Sequence, residues 1–141
     1  MNGKCYSVLI ADDNEIDRFF LKHAIDRADS RLKVVGEVGD GLEAVAYLSG
    51  DGVYSDRARY PLPDLLILDT RMPRMDGLSV LRWLQIQHFP DLKVAMFADS
   101  SGRNFQSIAL KEGASFFYSK MIHEPELIRI LETLQRELDQ A

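Results

Sequence analysis

A chain of 141 residues has the size of one ordinary domain, and 46% hydrophobic against 28% charged residues makes it globular rather than disordered. A net charge of −5 argues against nucleic acid as a direct partner, since that role calls for a basic face. The single cysteine, Cys5, excludes an internal disulfide and a Cys-rich zinc site and fits a reducing, cytoplasmic setting; no apolar run is long enough for membrane insertion, and MNGKCYSVLIADDNE is too short in apolar character for a signal peptide.

CYSVLIA, like the four strand segments LKVVGEV, LLILD, LKVAMFA and SFFYS after it, reads as a strand buried on both faces, and it stops at Asp12 and Asp13. Ile16, Phe19, Phe20 and Leu21 with Ala24 and Ile25 then make a helical stripe. LKVVGEV is a second strand, and Leu42, Val45, Ala46 and Leu48 stripe a second helix. SGDGVYSDRARYPLPD, residues 49–64, is a long polar connection, a surface excursion because the alternation resumes after it. LLILD is the third strand, closed by the lone carboxylate Asp69, and Asp76-Gly77 reads as turn chemistry with glycine at a special dihedral. Leu78, Leu81 and Leu84 mark a third helix, on which Trp83 packs. LKVAMFA is the fourth strand, and Phe105, Ile108 and Ala109 mark a short fourth helix. SFFYS, the fifth strand, delivers Lys120. Pro125 suits the first turn of a last helix, whose Leu127, Leu131, Leu134 and Leu138 are spaced four, three and four. Five strands alternating with five helices imply an α/β domain with a parallel sheet covered on both sides.

In such a sheet, ligands collect outside the carboxyl ends of the strands, where strand order reverses. If the first and third strands are neighbours, Asp12, Asp13 and Asp69 converge there. Two carboxylates about 5 Å apart repel by roughly 3 kcal/mol at an effective dielectric near 20, so the cluster needs a cation or a proton. Hard oxygen ligands with open positions suit Mg2+, which binds alongside phosphate. Lys120 arrives at the same edge from the fifth strand. A divalent cation and an ammonium beside one projecting carboxylate form a layout for phosphoryl transfer, with the carboxylate as nucleophile. Taken singly, Asp12 and Asp13 could be a helix N-terminal cap and Lys120 a solvated lysine, readings that their meeting at matching strand ends outweighs. His23, His88 and His123 have no mutual metal spacing and read as surface residues, and Cys5 as a small buried or edge residue.

Over roughly residues 6–138 this arrangement resembles the receiver domain of two-component response regulators. The acidic pair after strand one, the aspartate followed by MPRMDG after strand three, the KEGASFF step and the lysine ending strand five carry the resemblance together. It implies a single flavodoxin-like, doubly wound domain over residues 1–141, strand order 2-1-3-4-5 with five helices, and no output domain. It also implies Asp69 as phosphoacceptor, Mg2+ bound directly by Asp13, Asp69 and the backbone carbonyl of Arg71, Asp12 assisting through water, and Lys120 pairing with the acylphosphate. The implied donor is a sensor histidine kinase or a phosphotransfer protein. The implied output is the helix four, strand five and helix five surface, about residues 103–138, acting in trans on a downstream protein or on a second copy as a homodimer. The chain then serves signalling and is no enzyme beyond its own phosphorylation and dephosphorylation. The long insert resembles that of the stand-alone regulators associated with bacterial phytochrome kinases.

Three positions depart from the family pattern. Ala98 stands where a Thr or Ser hydroxyl usually swings toward the phosphate, with Ser100 and Ser101 the nearest hydroxyls. Met121 follows Lys120 where proline forms a cis peptide, and a cis non-proline bond costs about 3 kcal/mol or more, so a trans bond is expected. Phe117 fills the aromatic switch position without a hydroxyl. Ala98 and Met121 leave open a degenerate receiver that binds proteins independently of phosphate. An aspartyl-nucleophile phosphatase ranks lower, because Arg71 stands where such enzymes place a second Asp. So does a flavin-binding protein, since no phosphate loop follows the first strand.

Overall fold

The computed structural model describes residues 3–99, 103–120 and 122–140, without the side chains of Arg103 and Asn104. Five strands, β1 (Tyr6–Ala11), β2 (Leu32–Val38), β3 (Leu65–Asp69), β4 (Lys93–Ala98) and β5 (Phe116–Ser119), alternate with five helices. These are α1 (Glu15–Arg27), α2 (Gly41–Ser49), α3 (Gly77–Ile86), α4 (Arg103–Lys111) and α5 (Glu124–Gln140). The sheet is wholly parallel in the order β2-β1-β3-β4-β5, the doubly wound, flavodoxin-like arrangement expected from the alternation and the resemblance.

Side chains alternate across a strand, so each apolar run feeds two cores. In β1, Leu9 and Ala11 join Leu66, Leu68 and Met96 on one face, where Leu48, Val80 and Leu81 pack. Val8 and Ile10 join Ile67 and Phe97 on the other, under Ala24, Ile25, Leu131 and Leu134. β3 lies at the centre and is buried along its whole length. β2 and β5 are the edges and are half-exposed, so their apolar runs are not buried on both faces as read from sequence. Among the described residues no helix is long and apolar enough to cross a membrane.

The structure departs from the sequence at the start of β1 and along α1. The strand begins at Tyr6, and Cys5 lies outside it, exposed rather than buried. Ile16, Phe19 and Phe20 are 64%, 58% and 56% exposed, while Leu21, Ala24 and Ile25 carry the packing. At about 100° per residue the buried trio spans a narrow arc, and Phe19 is turned roughly 160° away from Leu21. The stripe was too wide for one contact face.

The insert is ordered by side chains that only the fold brings together. A 3-10 turn at Gly52–Ser55 follows α2. Arg57 donates through Nη1 to the carbonyls of Tyr47 and Tyr60 and through Nη2 to that of Leu48, so one guanidinium ties the last turn of α2 to the insert. The rings of Tyr47, Tyr54 and Tyr60 cluster with centroids 4.9, 5.1 and 6.0 Å apart.

Candidate functional site

Strand register sets the site. Ala11 pairs with Leu68, Asp69 with Phe97 and Ala98 with Ser119, so the carboxyl ends of four strands finish nearly level. The residues just past those ends are Asp12 and Asp13 after β1 and Lys120 after β5, with Asp69 closing β3. One oxygen from each of Asp12, Asp13 and Asp69 lies within 4.8 Å of the others. These hard oxygen donors, one of them on an exposed residue, fit a divalent cation that keeps part of its water.

Lys120 reaches into the cluster. Its Nζ lies 2.7 Å from Asp12 Oδ2, 2.8 Å from Asp17 Oδ2 and 3.3 Å from Asp69 Oδ2. Its own backbone N–H donates to the carbonyl of Ala98 at 2.8 Å, so the side chain swings from a fixed root. Burial alone would push this ammonium down, but hydrogen bonds to Asp12 and Asp17 and the charges of Asp12 and Asp69 more than reverse that and hold it above the ordinary lysine range. Asp69 is 3% exposed. Burial, and then the charge of Asp12, push its carboxyl up to about 6 against the pull of Lys120.

The walls are fixed by local chemistry. Asp12 accepts from the N–H of Asn14 at 2.9 Å, and Arg18 Nη1 donates to the Asp12 carbonyl at 2.6 Å. Asn14 caps α1 by accepting from the N–H of Asp17, which places Asp17 in the first turn, over the strand ends. Across the site the N–H of Arg71 points at Asp69 Oδ1, 3.4 Å away, and the Arg71 residue is exposed. Asp76 caps α3 by accepting from the N–H of Ser79. Gly77 does not have the positive φ expected from sequence. A side chain there would instead put a Cβ 2.2 Å from the carbonyl oxygen of Asp69, so glycine is required by close approach to the backbone of Asp69 itself. Arg74 holds a φ of 66°, tied down by Nε and Nη2 donating to Asp40 Oδ2 at 2.9 and 2.6 Å. Ala98 is buried at the end of β4, and Phe117 is half-buried, its ring 6.0 Å from that of Phe105 on α4. Met121, Ser100 and Ser101 lie outside the described residues, and with them the Lys120–Met121 peptide.

Asp12, Asp13, Asp69 and Lys120 thus come together where the strand ends imply. Asp17, which joins them through Lys120, was not among the expected residues. The cue for Asp17 was present: an acidic residue three positions after a capping asparagine sits in the first helical turn, facing the site.

Residues 8–132 match the response regulator receiver domain family, and the chain belongs to that family. It is 30% identical over 122 residues to the uncharacterized transcriptional regulatory protein YhcZ of Bacillus subtilis, covering 86% of this chain and 51% of that protein. The chain thus spans about half the length of that curated relative and less of others it matches. Its fold superimposes on response regulator RPA3017 in red light signaling of R. palustris with a TM-score of 0.82 at 26% identity, covering 92% of this chain and 90% of that one. It matches the phosphorylated cyanobacterial phytochrome response regulator RcpA with a TM-score of 0.80 at 25% identity, covering 98% and 97%. Receiver domains work with histidine kinases, and an acidic, metal-binding triad beside a lysine is the site such domains use for aspartyl phosphorylation.

Proposed function

We propose that Asp69 accepts a phosphoryl group from a sensor histidine kinase or a phosphotransfer protein, and that the charge it gains switches the α4–β5–α5 surface toward a downstream protein. The observation that carries this reading is the ammonium of Lys120, 3.3 Å from Asp69 Oδ2 within a three-carboxylate cluster. A carboxyl near 6 is ionised at neutral pH yet more basic than an ordinary aspartate, which suits a nucleophile. An oxygen of Asp69 attacks phosphorus in line, forming the acyl–phosphate bond as the bond from phosphorus to the donor nitrogen breaks, and the donor leaves with that electron pair. Asp13, Asp69 and the Arg71 carbonyl would hold Mg2+, with Asp12 acting through water. Bound there, it would supply positive charge to offset the negative charge on the phosphoryl oxygens. Lys120 donates to a phosphoryl oxygen from the side of β5.

Phosphorylation replaces one negative charge on Asp69 with about two and adds three acceptor oxygens. Phe117, packed against Phe105, links β5 to α4 and is the ring that would respond. Exposed Ile16, Phe19 and Phe20 on α1 give a partner an apolar foothold beside the acidic site. The chemistry modifies this chain and turns over no external substrate. The RcpA and RPA3017 likenesses support a place in light signalling with a phytochrome kinase.

A phosphotransfer assay with acetyl phosphate and Mg2+, read by intact-protein mass, tests the reading. Wild type should gain one phosphate and Asp69→Asn none. An adduct that persists in the variant sinks the assignment, and no adduct in wild type would favour the phosphate-independent alternative suggested by Ala98.

A further inference from the structure

Lys120 has three N–H donors, and in this structure three carboxylates surround it. The two nearer ones belong to Asp12 and Asp17, and the phosphoacceptor holds the longest contact. Asp12 is needed where it is, buried at the end of β1 with its other oxygen bound to the Asn14 N–H. Asp17 is different. It comes from α1, its side chain is 39% exposed, and with Asp12, Asp69 and Lys120 it lines a cavity of about 520 Å³ between α1 and α5. Removing it would leave Asp12 and Asp69 to share the lysine.

We infer that Asp17 is a positioning residue that holds Lys120 in its resting place and competes with the phosphoryl group for its ammonium. The inference rests on Asp69 as phosphoacceptor. Phosphorylation then includes an exchange of partners: one N–H of Lys120 leaves the Asp17 carboxylate and turns to a phosphoryl oxygen, while Asp12 keeps its own contact. No bond to carbon, nitrogen or phosphorus changes in that exchange. The Asp17 carboxylate, freed, takes up solvent at its exposed edge. Its competition weakens the grip on the phosphoryl group and so sets how readily the switched state is reached.

Asp17 also bears on charge. Asp12, Asp13, Asp17 and Asp69 with Lys120 sum to a local charge of −3, so a dianionic phosphoryl donor meets repulsion that a bound divalent cation only partly lifts. A neutral amide at position 17 would relieve some of this by charge alone. The two effects are separable because only partner exchange moves the lysine.

The test titrates beryllofluoride, a phosphoryl mimic, into wild type, Asp17→Asn and Asp17→Glu at fixed Mg2+, following amide shifts and the Cε–Hε NMR signal of Lys120. Asp17→Asn should tighten apparent beryllofluoride binding roughly two- to fivefold, the range for an ion pair partly open to solvent, and Asp17→Glu should return it toward wild type. In the free protein, Asp17→Asn should also move the Lys120 Cε–Hε signal toward its beryllofluoride-bound position. Unchanged affinity with an unmoved lysine signal overturns the inference while leaving the phosphoacceptor reading intact. Tighter binding with an unmoved lysine signal overturns it too, because charge relief then accounts for the gain. Absence of mimic binding in every variant and in wild type overturns the phosphoacceptor reading and this inference together.

Discussion

The ammonium of Lys120 lies 2.7 Å from Asp12 Oδ2, closer than it comes to Asp69. With Asp12 Oδ1 bound to the Asn14 N–H at 2.9 Å, both oxygens of Asp12 are engaged, whereas Asp13 is exposed. On the proposed roles the acidic pair divides its labour: one carboxylate anchors the lysine and the other would meet incoming metal. Asp13→Ala should weaken Mg2+ binding roughly tenfold or more, and Asp12→Ala far less, since it removes an outer partner rather than a ligand. Calorimetric titration of both variants measures this, and equal losses would refute the division.

Asp69 makes stability depend on pH in an unusual direction for an aspartate. A carboxyl held near 6 in the fold, against 3.8 when unfolded, binds its proton more tightly in the native state, so stability falls as pH rises from about 4 to 6. At neutral pH the cost is about 3 kcal/mol as an upper figure. Asp69→Asn should therefore be more stable than wild type at pH 7 in chelator by about 1–3 kcal/mol, and the gap should close as pH falls toward 4. Urea denaturation at both pH values reads the gap; a gap that widens on acidification would contradict the assigned cause.

Ala98 leaves the end of β4 without the hydroxyl that would draw its loop toward the phosphate. A hydrogen bond to a charged group is worth about 1.5–3 kcal/mol, so its loss should weaken the bias toward the switched state roughly tenfold or more. Beryllofluoride should produce small NMR shifts across residues 103–120 in wild type and larger ones in Ala98→Thr. Equally large shifts in both proteins would rule this out.

Gly77→Ala should strike fold and site together. The new Cβ would meet the Asp69 carbonyl oxygen at 2.2 Å, a backbone atom with no rotamer to yield. The expected cost is about 1–3 kcal/mol or more, with weakened Mg2+ binding because Asp69 itself is displaced. Gly39→Ala, whose Cβ would meet only Arg18 Nη1 at 3.9 Å, should stay within about 0.5 kcal/mol of wild type.

The sequence was most legible where one residue's neighbours are fixed by strand periodicity. Leu66, Leu68 and Ile67 alternate between two cores because the backbone leaves no other choice, and Asp69 then falls at the strand's end by counting. Parallel register carried Asp12 and Lys120 to the same place, so the site's centre followed from the alternation. Legibility ended where helices choose their azimuth. Phe19 and Phe20 look as apolar as Leu21, and only packing against the sheet and α5 decides which of them faces inward. The Asp17–Lys120 contact spans 103 positions and two elements that no periodicity relates. Arg57 likewise reads as one charge in a polar insert until the carbonyls ending α2 are in view.

Cys5, the lone thiol of the chain, is exposed just before β1, and Asp12 follows the other end of that strand. Six residues of extended chain separate the two poles, about 20 Å at the usual rise. This chain thus carries a single thiol at the pole opposite its acidic cluster. A molecule immobilised through that sulfur would stand with Asp13, Asp69 and Lys120 turned outward, every copy in the same orientation, ready to be offered to soluble kinases.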